Sequence, residues 1–412
     1  MGIMGFGNVK AALKTAGVEL VSVADCYTGR LIRSQEVFGQ SVKTTQDYRE
    51  LISDKSTDAV IISSTDHWHA AMAIESMKQG KPVYCEKPMV KQLEDGLEVI
   101  NVWEQTEVPF QVGSQFASNI ITHKARELYL EGKIGKLNAV EAYFDRFDAL
   151  GAWQYSIPPD ASKQTIDWNM FLGNAPRTDF DPVRFFRWRN YQDYGTGIPG
   201  DLFVHLFTML HSITGSLGPE KIYATGGLRN WKDGRDVADV MFGLFDYPEN
   251  DLHPAFNLAL RVNFVSASGG KTGIRLVGSE GVLDLGTNDL VLHRNKLPEA
   301  PGYGGWDSLD TFPESVQKEY IKQYHEKYGT PSAFVEEPGE LAFKASEGYE
   351  NDGMRIDHFA DWFNAIRTGK KTIEDPEFGL RACGPAVASN TSHYENRIIG
   401  WDPVNMKVLD KI

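Results

Sequence analysis

Met1-Gly2-Ile3-Met4-Gly5-Phe6-Gly7-Asn8-Val9-Lys10 opens the chain, and a helical pattern over residues 8–16 is closed by Gly17 before an apolar run that ends in Asp25. Glycines ahead of a helix, followed by a strand with an acidic tip, form the turn that lays a dinucleotide's pyrophosphate on a helix N-terminus. At most four residues precede the glycines in either register, fewer than the roughly five or six of an ordinary strand. With Gly2 and Gly5 as the tail of GxGxxG, the first glycine lies just before Met1. With Gly5 and Gly7 as its head, Lys10 stands where a third glycine permits close helix–strand packing. The first register fits better, so Gly2, Ile3, Met4 and Gly5 are expected to hold the cofactor, with an apolar strand and a glycine upstream of Met1. Asp25, at the tip of the next strand, can accept hydrogen bonds from ribose hydroxyls and would repel a 2′-phosphate, which favours NAD over NADP.

Working outward, short β-branched runs at 18–24, 59–63, 82–85 and 109–113 alternate with helical patterns at 31–38, 48–53, 70–79 and 93–104. That alternation predicts an α/β fold, a doubly wound parallel sheet of Rossmann type over residues 1–117. From Lys136 the character changes to longer alternating segments at 137–144, 221–227, 238–245, 257–265 and 272–285. They read as antiparallel strands with one covered face, giving a second α+β domain over 118–412 with an open mixed or antiparallel sheet. Residues 357–368 and 378–394 read as amphipathic helices, and a C-terminal helix near 355–369 is expected to pack back on the first domain. Between the first two long strands lies an insertion rich in aromatics and prolines, and loops that large usually carry function.

The 412 residues carry a formal net charge of −14, which argues against a nucleic-acid groove, since such a site needs a basic surface. No apolar run approaches the roughly 18–20 residues that span a bilayer, so neither a membrane nor a nucleic acid is expected as partner. Cys26, Cys85 and Cys383 lie far apart and read as free thiols, with no metal site.

Thr65-Asp66-His67-Trp68-His69 follows a strand and opens a helix, at the sheet's carboxyl edge where ligands bind. His67 and His69 diverge on a helix and cannot jointly hold a metal. Glu86-Lys87-Pro88 comes directly after another strand, and that position makes Lys87 an active-site candidate, a surface Lys–Glu pair being the bland alternative. Asp201 and His205 stand four apart on a helix entered through Gly195-Thr196-Gly197 and flanked by apolar residues, so both must face a cavity or a partner. An aspartate so placed can orient an imidazole that takes a proton. Trp153, Trp168, Trp188 and Tyr191 could stack on a pyranose, although buried aromatics more often pack a core.

Together, and in this order, these residues resemble the Gfo/Idh/MocA oxidoreductase family. The resemblance spans the chain, resting on the glycine turn, Asp25, His69, the run from Gly80 to Pro88, Asp201 with His205, and Gly278-Ser279-Glu280-Gly281. It implies a Rossmann domain and an open sheet with NAD between them, the cofactor contacts including Thr65, His67, His69, Glu86 and Lys87. It also implies that Lys87 contacts the reacting oxygen, that His205 takes its proton and that Asp201 positions the substrate or the imidazole. Substrate contacts are expected from Lys87, Trp153, Trp188, Tyr194, Asp201 and His205. The segment 151–194 resembles a branch of bacterial members within the family. The implied reaction is NAD-dependent oxidation of a sugar or polyol; an NAD-assisted glycoside hydrolase is the alternative, and a non-catalytic sensor of NAD or sugar the third. A homodimer or homotetramer through the C-terminal sheet is expected, in the cytoplasm unless an export signal precedes Met1.

Overall fold

The computed structural model describes residues 1–295, 297, 298, 300–329, 340–349 and 352–409. Its N-terminal part alternates α1 (Ile3–Ala12), β1 (Ser22–Ala24), α2 (Thr28–Phe38), β2 (Lys43–Thr45), α3 (Tyr48–Ser53), β3 (Val60–Ile62), α4 (His69–Lys78), β4 (Val83–Glu86), α5 (Leu93–Thr106) and β5 (Phe110–Gly113). All strand pairs here are parallel, and β4 and β5 are buried along their whole length, as strands covered on both faces must be. Local chemistry sets the helix starts. The Asp47 carboxylate caps α3 by accepting from the Arg49 N–H, and Glu94 and Asp95 meet the positive end of α5.

One expectation needs correction. Helix α1 begins at Ile3, not Asn8, so Gly5 and Gly7 lie inside it. They serve close packing there, since a Cβ on Gly7 would stand 2.6 Å from Nη1 of Arg355. The expected parallel sheet is present in two parts, β1 with β2 and β3 with β4 and β5, the division that an absent first strand implies. No described strand stands between β1 and β3, and both line one cavity, so their facing edges have no ladder partner.

After α6 (Ile120–Leu130), β6 (Leu137–Asp145) starts the second sheet. Three helices follow: α7 (Trp168–Leu172), α8 (Pro182–Phe186) and α9 (Val204–Thr214). The chain continues through β7 (Lys221–Gly227), β8 (Val240–Tyr247), β9 (Phe256–Asn263), β10 (Lys271–Gly278), β11 (Gly281–Leu285) and β12 (Asp289–Arg294). The last elements are α10 (Glu314–Tyr328), β13 (Leu341–Lys344), α11 (Gly353–Thr368), α12 (Pro376–Glu395), β14 (Ile399–Asp402) and β15 (Lys407–Leu409). The sheet has ten strands in the order β13-β12-β11-β10-β6-β9-β8-β7-β14-β15. It is mixed, because β6 and β9 run parallel at its centre while the other pairs are antiparallel, and 272–285 is a hairpin turned at Ser279 and Glu280. Exposed and buried residues alternate along β7, β8 and β9, with α12 packed against the covered face of β7.

Helix α11 returns to the N-terminal part. Phe359 stacks on Tyr84 at 4.2 Å, and Trp362 and Phe363 join Ala11 and Ala12 in one buried cluster. Each large side chain so buried contributes about 1.5–3 kcal/mol, so the contact fixes α1 relative to β4. Among the described residues no helix is long and apolar enough to cross a membrane.

Candidate active site and cofactor cleft

Strand β4 delivers Glu86 and Lys87 to the carboxyl edge of the three-stranded sheet. The two do not pair with each other. Glu86 is buried and accepts from Nδ2 of Asn8 at 2.8 Å, and burial pushes its pKa up. Lys87 turns the other way and donates through Nζ to the main-chain oxygen of Asp201 at 2.7 Å and to its Oδ1 at 2.9 Å.

Asp201 lies in a π-helical turn, Pro199–Phe203, that runs directly into α9, a wide turn often found where helices carry function. The approach to it is tightly built: Gly197 adopts φ +62°, and a Cβ on Gly200 would strike the Thr196 side chain at 2.1 Å. Thr196 donates from its N–H and its hydroxyl to the buried carboxylate of Asp66, at 2.9 and 2.7 Å, and accepts from Nδ2 of Asn390. Asp66 therefore anchors this turn to the N-terminal sheet rather than capping a helix. Arg189 Nε donates to the same Asp201 oxygen at 3.2 Å. Burial alone would raise the Asp201 pKa, but Lys87 and Arg189 hold the carboxyl far below its usual range.

His205 sits one turn further on, buried, its ring edge-on to Phe116 at 5.2 Å. Burial first, and then the charge of Lys87, lower its pKa well below 6.5, so it is neutral at pH 7. The orientation of this imidazole by Asp201 needs correction. The Asp201 carboxylate is taken by two cations, and Nδ1 of His205 has no hydrogen-bond partner among the described residues.

One cavity of about 950 Å³ connects Lys87, Asp201 and His205 to Gly2, Ile3, Met4, Gly5 and Asp25, near the upper end of the roughly 300–1,000 Å³ of ligand pockets. Gly2 caps α1 without a side-chain hydrogen bond, and Gly2, Ile3 and Met4 line the cavity, so the start of the helix borders it. This arrangement fits a pyrophosphate. Asp25 lines the same cavity beyond the start of α1. Its Oδ2 accepts from the Met1 ammonium at 2.6 Å and from Arg30 at 3.5 Å, and its Oδ1 from the Tyr27 N–H at 2.9 Å. Burial would raise its pKa, but the ammonium and Arg30 lower it.

Thr65, His69, Glu86 and Trp188 also line the cavity. Three expected contacts do not. His67 is held against the aromatic insertion, its Nε2 3.0 Å from the main-chain oxygen of Phe171. Tyr194 is fully buried in the insertion's own core, and Trp153, 1% exposed, packs edge-on against Phe264 at 4.9 Å. Tyr194 and His67 pack within the insertion, which has a core of its own, whereas Trp153 belongs to the main core. Trp168 and Tyr191 belong to the insertion's core. Lining residues that sequence did not anticipate include Arg146, Tyr155 and Arg189. The one signal for Arg189 is its place beside Trp188. No cluster of described residues is suited to hold a metal ion.

Residues 1–114 match the family model for an oxidoreductase family with an NAD-binding Rossmann fold. An inositol 2-dehydrogenase of Salmonella paratyphi B is 33% identical over 105 residues, 24% of this chain and 31% of that protein's length. A glycosyl hydrolase family 109 protein of Shewanella baltica is 35% identical over 115 residues, 26% of this chain and 25% of its own. These matches span about a third or less of the curated relatives. Over nearly the whole chain the fold is that of levoglucosan dehydrogenase in complex with NADH and levoglucosan, with a TM-score of 0.68, 14% identity, and coverage of 97% of this chain and 96% of that one.

Proposed function

We infer that this chain, which belongs to the Gfo/Idh/MocA oxidoreductase family, moves a hydride between a carbinol carbon of a sugar or polyol and the nicotinamide of NAD. The observation that carries the reading is the meeting of Lys87, Asp201 and His205 in the cavity that also receives the start of α1. NAD, held by the α1 N-terminus and Asp25, supplies the hydride acceptor when bound. The Lys87 ammonium hydrogen-bonds the substrate hydroxyl oxygen and stabilises the charge that develops on it. The neutral imidazole of His205 accepts the hydroxyl proton as the carbon loses its hydride and becomes a carbonyl. Asp201 acts through Lys87, fixing the ammonium by two contacts from one residue, so it is a positioning residue.

A second reading is favoured by the likeness of the N-terminal part to a glycosyl hydrolase family 109 protein. In it, oxidation at C3 of a glycoside acidifies the C2 proton, the aglycone is eliminated, and water addition and return of the hydride complete a hydrolysis without net redox. Incubation with free sugars and with aryl glycosides, following NADH absorbance and aglycone release together, separates the two. NADH formation is expected; aglycone release without NADH overturns the dehydrogenase reading.

The assembly is part of the proposal. Tyr223 pairs with Leu244, and Phe242 lies on the same exposed face of β7 and β8, an apolar surface suited to a second copy. Leu244→Asp is expected to sediment as a smaller species than the wild type; a wild-type protein that already sediments as a monomer defeats the idea.

A further inference from the structure

The reaction end of the cavity carries three cations and one partnering carboxylate. Asp201 alone serves Lys87 at 2.9 Å and Arg189 at 3.2 Å. Arg146 is the third cation. It follows β6, donates from Nη1 to the neutral main-chain oxygen of Gly151 at 2.6 Å, and lies 5.3 and 5.4 Å from the ring centres of Phe144 and Phe264. Asp145, the carboxylate next to it in the chain, turns instead to Arg261 at 3.0 Å. Among the described residues Arg146 makes no ion pair, and its remaining N–H donors have no protein acceptor. Three other carboxyl groups lie near this end and none makes an ion pair with Arg146; exposed Asp148 accepts from the Gly151 N–H at 2.6 Å. Asp66 is buried on Thr196 and Glu86 on Asn8, and burial pushes both towards the protonated form.

Arg146 is half-buried beside two aromatic rings with no protein carboxylate at ion-pair distance, so its fork is open to an anion that a ligand supplies. The field of both arginines reaches Asp201 and the Tyr155 hydroxyl, which lines the same wall, and the Arg189 guanidinium lies 4.2 Å from the Trp188 ring centre. Planar guanidinium forks match carboxylates bidentately, and the indole offers a face to a sugar ring.

We propose that the substrate is a sugar acid, whose carboxylate is received by Arg146 and Arg189 while a hydroxyl-bearing carbon lies at Lys87 and His205. The proposal rests on the oxidoreductase reading above and narrows its substrate class. It commits to a carboxylate; guanidinium forks match phosphates as well, so a sugar phosphate is the competing anion that the test must separate.

The test is calorimetric titration of the full chain, with NADH present, using D-glucose against D-glucuronate, D-galactose against D-galacturonate, sorbitol against D-gluconate, and glucose 6-phosphate. At least one acid is expected to bind tenfold or more tightly than its neutral counterpart. Arg146→Gln, shown to be folded by its thermal transition, is expected to reduce that ratio at least tenfold. Arg146→Lys, which keeps the charge and loses the fork, is expected to fall between. If no acid outbinds its counterpart, if Arg146→Gln leaves the ratio unchanged, or if glucose 6-phosphate binds more tightly than glucuronate, the proposal is overturned. An acid preference in binding without NADH formation on mixing with NAD would sustain this proposal and sink the hydride-transfer reading. NADH formation from neutral sugars with no acid preference would do the reverse.

Discussion

The two ends of the cavity are assembled in different ways. At the Asp25 end every partner of that carboxylate comes from the first 30 residues: Met1, Tyr27 and Arg30. At the reaction end Lys87 and Asp201 meet across a separation of 114 residues, and Arg189 arrives from a loop insertion. Locally built groups are replaceable one at a time. Groups that converge from separate segments hold one another, so a change at the reaction end is expected to alter chemistry, whereas a change at the Asp25 end alters affinity.

The sharpest break of that contrast is at His205. Replacing it with Asn is expected to lower turnover by about 10² to 10⁴, the usual contribution of a general base, with NAD affinity nearly intact. Lys87→Met is expected to act likewise, and the double variant to lose much less than the product of the single losses, because both groups act on one transition state. Steady-state kinetics beside a cofactor titration reads this. Near-full activity of His205→Asn would make the imidazole a packing residue.

The same contrast explains what the sequence disclosed. Lys87 was legible because a buried strand must end at the ligand-binding edge, and Asp25 because it ends the strand after the glycine turn. The link between Asp201 and His205 was misread for a reason that spacing cannot show. A carboxylate follows the strongest nearby cations, and those came from residues 87 and 189. Trp153 and Tyr194 were expected as substrate contacts because composition shows aromatic richness but not which rings are buried in a core. Arg146 lies beyond the end of β6 and has no periodic pattern to mark it. The mixed character of the large sheet arises from the parallel pairing of β6 with β9, which alternation within a strand cannot reveal.

A smaller effect is expected at Asp25. Its negative charge stands where NADP would place a phosphate, so NAD is expected to bind at least about tenfold more tightly, roughly 1.4 kcal/mol. Asp25→Asn is expected to narrow that ratio without changing turnover at saturating cofactor. Fluorescence titration with both cofactors decides it, and tighter binding of NADP by the wild type would show that Asp25 does not meet the ribose.

The smallest effect concerns stability and asks whether the reaction end is held neutral at a cost. Burial, followed by the charge of Lys87, depresses the pKa of His205 in the folded state, so below pH 6.5 the unfolded chain binds a proton there that the folded chain refuses. The stability contributed by the neutral ring is therefore fully present above pH 6.5 and is lost as the pH falls towards the folded pKa. His67, His211 and His358 act in the same direction, with burial lowering them to about 4, 3 and 4. These histidines favour a loss of stability from pH 7 to pH 5, opposed by the buried carboxyls of Asp66, Glu86 and Glu374, whose pKa burial raises. His205→Asn removes one of these histidines, so its stability curve should fall less steeply, by up to about 1.4 kcal/mol per pH unit below pH 6.5. Asp25→Asn should leave the slope in this window unchanged, because the depressed pKa of Asp25 matters only near and below pH 4. Urea unfolding of the three proteins at pH 7, 6 and 5 makes the comparison. Parallel curves for His205→Asn and the wild type would mean that the imidazole takes up its proton as readily in the folded protein as in the unfolded one, and that it does not stand in the neutral state a proton acceptor requires.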